Sequence, residues 1–321
     1  MWIIVAMIGI VFFGSLTAYL YTFFNFSKKE EPHTLPKGDD YQTDGAKMHD
    51  LICEMETIPP TQRIHLISYD GTRLNARYYH VADGAPLHIQ MHGYRGNGIR
   101  DFCGGNKLAR EMGHNTLVVD QRAHCASGGR TICFGIKEQY DCKAWVEYAA
   151  KTFGVNTPIF LSGVSMGAAT VVMAAALPMA ANVVGVIADC PYDSPKNIIQ
   201  KVARDMHLPA SLLWPFVWLG ALLFGRLVIR GGPESSVKRA RFPICLIHGE
   251  ADKFVPVEMS RRIADANPAF CQLHTFADAG HGLSFIKDFD RYRRISRDFI
   301  SRCLENNRKK RETLVAFSEQ E

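Results

Sequence analysis

The stretch Gly163-Val164-Ser165-Met166-Gly167 decides the fold, because of the two segments that flank it. Residues 158–162 form a short apolar run that is typical of a buried strand. Residues 168–177 are also apolar, with small residues on the first turns, as in a buried helix. A serine between such segments, with a glycine two residues away on each side, predicts a sharp strand-to-helix turn that presents the Ser165 hydroxyl as a nucleophile.

Three further segments support this interpretation, and they occur in a consistent order along the chain. Residues 87–96 (LHIQMHGYRG) form an apolar run that ends in a His-Gly turn. Residues 245–252 (CLIHGEAD) and 276–282 (FADAGHG) include strand-like runs and then carry an aspartate and a histidine. A Gly-x-Ser-x-Gly match arises by chance about 0.1 times in a chain of this length. The agreement of four segments therefore makes the pattern informative.

With these motifs the sequence resembles the α/β-hydrolase family over about residues 60–305, and it looks closest to the bacterial, membrane-anchored branch with a His-Gly-x-x-Gly turn and a Gly-x-Ser-Met-Gly elbow. One departure concerns residues 120–127 (DQRAHCAS). The family usually has D-x-R-G-x-G-x-S there, so Ala123 and Cys125 stand where glycines are common. Because glycine tolerates a positive φ, this departure puts the usual conformation of the loop in question.

The predicted catalytic residues are Ser165, His281 and Asp252. A serine hydroxyl is a poor nucleophile unless a base activates it. Among the 12 histidines, His281 alone follows the final predicted strand in a Gly-His-Gly turn, where an imidazole can reach the elbow. Asp252 would fix the tautomer of His281 and stabilise the imidazolium. A purely structural role for His281 is the alternative.

Other acids compete with Asp252 for the role of orienting the histidine. Glu250 precedes it by two residues, Asp189 ends an earlier predicted strand, and Asp278 lies close to His281 in sequence. Asp278 is better placed to cap a turn, and Asp189 to shape the floor of the pocket. Asp252 is therefore the preferred acid.

The predicted oxyanion hole consists of the backbone N–H groups of Tyr94 and Met166, whose side chains would line the pocket. His92 is expected to hold the turn by a hydrogen bond rather than to act as a second base. The sequence indicates no chemical role for His124 or His248.

Composition limits the classes of function. The chain has 321 residues, 47% hydrophobic and 21% charged, which predicts one large globular domain. The 37 Lys and Arg against 32 Asp and Glu are spread along the chain, apart from residues 308–311 (RKKR), so no nucleic-acid partner is expected. The nine cysteines contain no C-x-x-C pair and predict no disulfide framework. No metal-binding or cofactor-binding motif is present, and neither a metal nor a cofactor is expected.

The N-terminal segment predicts a membrane anchor, because residues 2–26 contain no Asp, Glu, Lys, Arg or His. About 25 helical residues cover roughly 37 Å, enough to cross a hydrocarbon core of about 30 Å. A cleaved signal peptide would have a basic start and a shorter apolar core. Lys28 and Lys29 follow the segment and favour a cytoplasmic catalytic domain. All predicted catalytic elements lie beyond residue 85, so the anchor is expected to be dispensable for catalysis.

The predicted architecture is an α/β fold with a mostly parallel sheet flanked by helices. Its parts are an anchor (1–27), a tether and lead-in (28–59), a catalytic domain (60–307) with a small helical cap insertion (about 196–241), and a basic, polar tail (308–321). Residues 30–46 are expected to have little structure of their own. An antiparallel hairpin around Asp70-Gly71 precedes strands at about 86–91, 115–120, 158–162, 183–189, 243–248 and 271–276. The apolar segment 208–224 predicts an acyl pocket, a membrane-facing lid or an ordinary packing helix.

Three functions fit these features. The leading one is an esterase that acts on a small-molecule acyl substrate through an acyl-enzyme formed on Ser165. A serine peptidase similar to the prolyl-oligopeptidase relatives is the second, although such enzymes usually carry a large extra domain for which this chain has no room. The third is a non-catalytic binding protein that keeps the fold, which an intact triad disfavours.

Overall fold

The computed structural model describes residues 2–31, 34–35 and 39–318, with only the backbone described at 39–40, 42–43 and 314–318. The strands are β1 (Gln62–Ile67), β2 (Arg73–Tyr79), β3 (Leu87–Met91), β4 (Asn115–Asp120), β5 (Ile159–Val164), β6 (Val183–Asp189), β7 (Ile244–Gly249) and β8 (Cys271–Phe276). The helices are α1 (Trp2–Thr22), α2 (Asp39–Glu56), α3 (Gly98–Glu111), α4 (Glu138–Phe153), α5 (Met166–Ala174), α6 (Pro195–Asp205), α7 (Ala210–Gly225), α8 (Pro233–Val237), α9 (Val257–Ala266), α10 (Ser284–Lys287) and α11 (Phe289–Ser318).

The eight strands form one sheet in the order β1-β2-β4-β3-β5-β6-β7-β8. Strand β2 pairs antiparallel with β1 and β4, and every other neighbouring pair is parallel. Strands β3, β4, β6 and β7 are buried along their whole length, as expected for strands covered by helices on both faces. The predicted α/β fold with its hairpin and mostly parallel sheet is confirmed.

The turn from β5 into α5 depends on two glycines. A Cβ on Gly163 would lie 2.3 Å from the backbone carbon of Gly167, and a Cβ on Gly167 would lie 1.8 Å from the carbonyl oxygen of Met91 at the end of β3. Strand, helix and neighbouring strand therefore meet so closely here that only glycine fits. This packing places the start of α5 at the carboxyl edge of the sheet.

The expectation that residues 30–46 have little structure is wrong from Asp39 onward, where α2 begins. Met48, Ile52 and Met55 of α2 are buried against Ile99 and Cys103 of α3. This apolar face explains why the segment folds onto the domain. The part of the predicted tether at 32–33 and 36–38 lies outside the described residues.

The cap and the C-terminal segment are helical. Helices α6, α7 and α8 occupy the predicted insertion, and α7 continues through Pro215. Helix α11 continues from the domain through the predicted tail as far as Ser318, and Arg308 in it bonds Glu305 and Glu312. The predicted boundaries of the anchor, the domain and the tail stay predictions.

Candidate active site

Three side chains from distant parts of the chain meet at the carboxyl edge of the sheet. The Nε2 atom of His281 lies 2.9 Å from the Oγ atom of Ser165. Its Nδ1 atom lies 2.7 Å from the Oδ2 atom of Asp252. Ser165 follows β5, Asp252 follows β7 and His281 follows β8. The structure thus brings together the three side chains that the sequence singles out.

Asp252 is held rigidly by the loop after β7. Its Oδ1 atom accepts the backbone N–H groups of Phe254 at 2.9 Å and Val255 at 2.8 Å. Burial disfavours the charged carboxylate, but the nearby imidazoles of His281 and His248 outweigh burial and hold the pKa of Asp252 well below its usual value. The carboxylate is therefore ionised and oriented toward His281.

The competing acids occupy other positions. Glu250 and Asp278 are exposed to solvent, and Asp278 adopts a left-handed turn with a φ of 56°. Asp189 is buried at the end of β6, where burial raises the pKa of its carboxyl to about 6. Only Asp252 contacts the Nδ1 atom of His281 among the described residues.

His248 supports the loop that carries Asp252. It is fully buried, its Nε2 atom lies 2.8 Å from the carbonyl oxygen of Val255, and its Nδ1 atom lies 2.7 Å from the hydroxyl of Ser260. The same Nε2 atom lies 3.2 Å from the Asp252 carboxylate. The sequence showed no role for His248 because these contacts depend on how its loop folds back.

Ser165 adopts the strained backbone of a tight turn, with φ 55° and ψ −115°. Its N–H donates to the carbonyl oxygen of Asp189 at 2.8 Å, which fixes the turn against β6. The next N–H, that of Met166, is the first of α5, where helix N–H groups lack intrahelical partners. Within the described residues neither this N–H nor that of Tyr94 donates to any group. Both N–H groups are therefore available as donors to a bound oxyanion.

The turn that carries Tyr94 is held in place by polar side chains. Asp101 accepts the N–H of Gly93 at 2.7 Å. The Nδ1–H of His92 donates to the carbonyl oxygen of Gly93 at 2.8 Å, and its Nε2 atom accepts the N–H of Gln121 at 3.1 Å. His92 therefore holds the turn, as the sequence suggested, and a Cβ on Gly93 would lie only 3.4 Å from the Cβ of Ser165.

His124 also holds this turn, which the sequence did not indicate. Its Nε2 atom accepts the N–H of Arg95 at 3.0 Å, and its Nδ1–H donates to the carbonyl oxygen of Arg122 at 2.8 Å. Burial, together with the neighbouring His92, lowers the pKa of His124 to about 3. The ring is therefore neutral at ordinary pH, and Nε2 can remain an acceptor.

We expect His124→Phe to lower kcat about 10-fold, because the Arg95 N–H would lose its acceptor and the turn beside Ser165 would shift. Ester hydrolysis and thermal unfolding of the purified variant measure the effect. His88→Phe is a matched control, since His88 is equally buried but lies near the amino end of β3, away from Ser165, where it bonds His114. If the two variants have the same kcat, His124 does not support the turn that carries Tyr94.

The loop at residues 120–127 keeps a left-handed conformation at both positions where glycines are common. Ala123 has a φ of 64° and Cys125 a φ of 42°. Such backbone costs on the order of 1 kcal/mol for a residue with a side chain. Hydrogen bonds compensate at Ala123, whose N–H donates to Gly128 and whose carbonyl oxygen accepts the amide of Asn25. The loop therefore keeps its left-handed conformation without the glycines.

The end of α1 contacts the same turn, which the spacing of the motifs along the sequence did not indicate. The hydroxyl of Tyr94 donates to the carbonyl oxygen of Thr22 at 2.9 Å, and Arg95 donates to those of Tyr21 and Phe24 at 3.0 and 3.1 Å. Phe23 is completely buried in a cluster that includes Met166. The side chain of Tyr94 therefore points to α1 rather than lining an open pocket.

The N-terminal segment contacts the other half of the site as well. The hydroxyl of Tyr41 in α2 donates to the carbonyl oxygen of His281 at 2.6 Å. Asp44 pairs with Lys287 at 2.7 Å, just beyond the histidine loop. Residues before 60 thus contact both the turn that carries Tyr94 and the loop that carries His281. The spacing of residues along the sequence does not reveal these contacts.

Among the described residues, two groups of side chains have ligand atoms close enough to hold a metal ion. One is Cys190 with Asp252 and His281, within 4.8 Å of one another. Burial raises the pKa of the Cys190 thiol well above its usual value, so it is a poor ligand. The other group consists of Glu30, Asp120 and Cys125, where Arg77 already pairs with both carboxylates.

Comparison with known proteins gives distant relatives. No family model matches the chain. Uncharacterized protein YqkD of Bacillus subtilis (strain 168) is 25% identical over 262 residues, 78% of this chain and 83% of that protein. Esterase Pf2001 of Pyrococcus furiosus has a TM-score of 0.61 at 19% identity and covers 87% of this chain and 99% of its own. The α/β hydrolase GrgF of Penicillium sp. sh18 has a TM-score of 0.56 at 17% identity, and the match covers 75% of this chain and 98% of GrgF. At these identities the likeness concerns the fold.

Proposed function

Because the chain has the α/β-hydrolase fold, we propose that it is a serine hydrolase that cleaves a carboxylic ester or a related acyl bond of a small-molecule substrate. The observation that carries the proposal is the hydrogen-bonded chain Asp252–His281–Ser165, with separations of 2.7 and 2.9 Å. The available N–H groups of Tyr94 and Met166 beside Ser165 supply the second requirement of acyl transfer, a site for the oxyanion.

The mechanism follows from these positions. His281 takes the proton of Ser165 at Nε2 while Oγ attacks the carbonyl carbon, and the oxyanion binds the N–H groups of Tyr94 and Met166. The imidazolium, stabilised by Asp252, then gives its proton to the leaving alcohol, and an acyl-enzyme remains. A water molecule that loses its proton to His281 releases the acid and restores the serine. No step needs a metal or a cofactor.

The two alternatives have less support. A peptidase of the prolyl-oligopeptidase type would use the same three side chains, but no contact in the described residues points to a peptide. A non-catalytic binding protein would not need a strained nucleophile, since a φ of 55° at Ser165 costs on the order of 1–3 kcal/mol without benefit to the fold. Profiling with p-nitrophenyl esters of increasing chain length and with peptide amides separates the three possibilities.

Activity is expected to rise with pH as the catalytic imidazole loses its proton, and to survive EDTA. Only a neutral imidazole can take the serine proton. Because the pKa of Asp252 lies well below its usual value, this carboxylate stays charged across the assay range and adds no second limb. Rates of ester hydrolysis between pH 5 and 9, with and without EDTA, measure both points. A strict requirement for added divalent metal would refute the mechanism.

We also propose that α1 anchors the protein in a membrane, with the catalytic domain on the cytoplasmic side. Helix α1 is long and apolar enough to cross a bilayer, a test that a signal sequence also passes. Lys28, one of the two lysines that favour this orientation, donates to the carbonyl oxygen of Ser127 and is partly buried. The orientation therefore depends mainly on Lys29. Carbonate-washed membranes should retain the protein with its N-terminus intact.

Two deletions should separate anchoring from catalysis. Among the residues lost on removing 1–13, those at 2–13 are almost all exposed, so hydrolysis of a short ester should stay within about two-fold of the full-length rate. Removing residues 1–27 also takes away buried Phe23 and Asn25 and the carbonyl groups bound by Tyr94 and Arg95. It should lower kcat by about 10-fold or more and reduce Tm by several degrees. Equal activity and Tm in the two deletions would contradict a role of α1 in the site.

A further inference from the structure

The surface of α7 is unusually apolar for a helix on the outside of a domain. No charged residue occurs between Ala210 and Gly225. Leu212, Trp218 and Leu223 are 70%, 40% and 54% exposed and follow one another along the helix together with exposed Pro215. Soluble domains rarely leave a continuous apolar stripe of this kind in contact with water.

Helix α7 crosses α1 at very close range. A Cβ on Gly220 of α7 would lie 2.3 Å from the carbonyl oxygen of Ser15, and a Cβ on Gly14 would lie 2.8 Å from the ring of Phe216. Small residues at a crossing allow two backbones to approach, as in packed membrane helices. The rings of Phe12 and Phe224 meet at 5.6 Å just outside the crossing. The two helices therefore form one packed pair.

The length of α1 places this pair relative to a bilayer. The 21 residues of α1 span about 31 Å, close to the thickness of a hydrocarbon core of about 30 Å. Only residues 2–13 project from the protein with nearly every side chain exposed, and 12 residues span about 18 Å. The remaining residues of the span include Gly14, Ser15 and Tyr19, which pack against α7. An α1 that crosses the membrane therefore carries α7 to hydrocarbon depth.

We propose that α7 lies in the proximal leaflet of the bilayer that α1 spans, with Leu212, Trp218 and Leu223 in contact with lipid acyl chains. The flanking charges agree with this placement, because exposed Arg204 precedes the helix and exposed Arg226 follows it directly. Cations at these positions can reach lipid headgroups while the helix between them stays in the apolar layer. The domain is thus partly embedded rather than suspended on a tether.

Quenching of tryptophan fluorescence by brominated lipid tests the placement without any need for catalysis. The full-length variant W2F/W214F retains only Trp145, which is completely buried in the core, and Trp218. In phosphatidylcholine vesicles with bromine on the acyl chains it should lose the Trp218 share of its emission relative to unbrominated vesicles. The variant W2F/W214F/W218F, which retains only Trp145, should lose little.

Two further variants, each with one tryptophan added to the W2F/W214F/W218F background, test whether the quenching depends on position along the surface. Leu212→Trp lies on the same stripe and should be quenched. Val155→Trp lies in the loop before β5 and is equally exposed, at 72% in the parent, so it should not be quenched. Circular dichroism confirms folding in each case. The proposal is overturned if neither Trp218 nor the tryptophan introduced by L212W is quenched more by brominated lipid than the tryptophan introduced by V155W. In that case, cross-linking through α7 would test whether a second copy of the chain packs against this helix.

Discussion

Ser165→Ala is expected to abolish labelling by a fluorophosphonate probe and to lower kcat for ester hydrolysis by about a million-fold. The change removes the Oγ atom that we propose forms the acyl-enzyme, whereas the proposed oxyanion donors remain. The fold should be unaffected, with a change in the free energy of unfolding within about 0.5 kcal/mol, because only one hydroxyl at the edge of the sheet is lost. In-gel fluorescence and thermal unfolding measure the two effects.

Ser162→Ala is the matched control for this experiment. Ser162 lies three residues earlier on β5 and is equally buried, but its hydroxyl faces His88 at 3.4 Å rather than His281. We expect this variant to be labelled as strongly as the parent protein. If Ser165→Ala still hydrolyses short esters at the parental rate, the assignment of the nucleophile is wrong.

Asp252→Asn and His281→Ala should each lower kcat by about 10⁴-fold. The kcat of the double variant should be little lower than that of the less active single variant. Without His281 nothing takes the serine proton, so the orienting acid no longer matters. Asparagine at position 252 keeps the size of the side chain but offers an N–H or a neutral oxygen to Nδ1, which destabilises the required tautomer. Single-turnover kinetics of the three variants measure the coupling.

The rival acids provide the comparison. Glu250→Gln should leave kcat within a few-fold, because the side chain is exposed. Asp189→Asn alters a buried carboxyl that does not contact the Nδ1 atom of His281, so kcat should fall far less than in Asp252→Asn. An Asp252→Asn variant that keeps most of its activity, beside an inactive Asp189→Asn or Glu250→Gln variant, would transfer the orienting role to another acid.

Much of the architecture follows from local patterns. The predicted strands at 115–120, 183–189 and 271–276 have the observed bounds, because each is a short apolar or β-branched run between turn residues. The nucleophile turn was predictable because the two glycines that its crowded backbone requires lie within two residues of Ser165. Helix α2 was not predictable in this way, since its stability comes from Met48, Ile52 and Met55 packing against α3 rather than from its polar, mixed sequence.

The sequence by itself determined the α/β fold, the candidate residues Ser165, Asp252 and His281, and an apolar N-terminal segment at residues 2–26, because each of these depends on a local pattern of neighbouring residues. Only the tertiary structure shows that the end of this helix contacts the turn that carries Tyr94. Tyr94 binds the carbonyl oxygen of Thr22 across 72 residues, and His124 binds the N–H of Arg95 across 29. Such contacts leave no periodic pattern, because a single hydrogen bond to a backbone group places no demand on the residues around it.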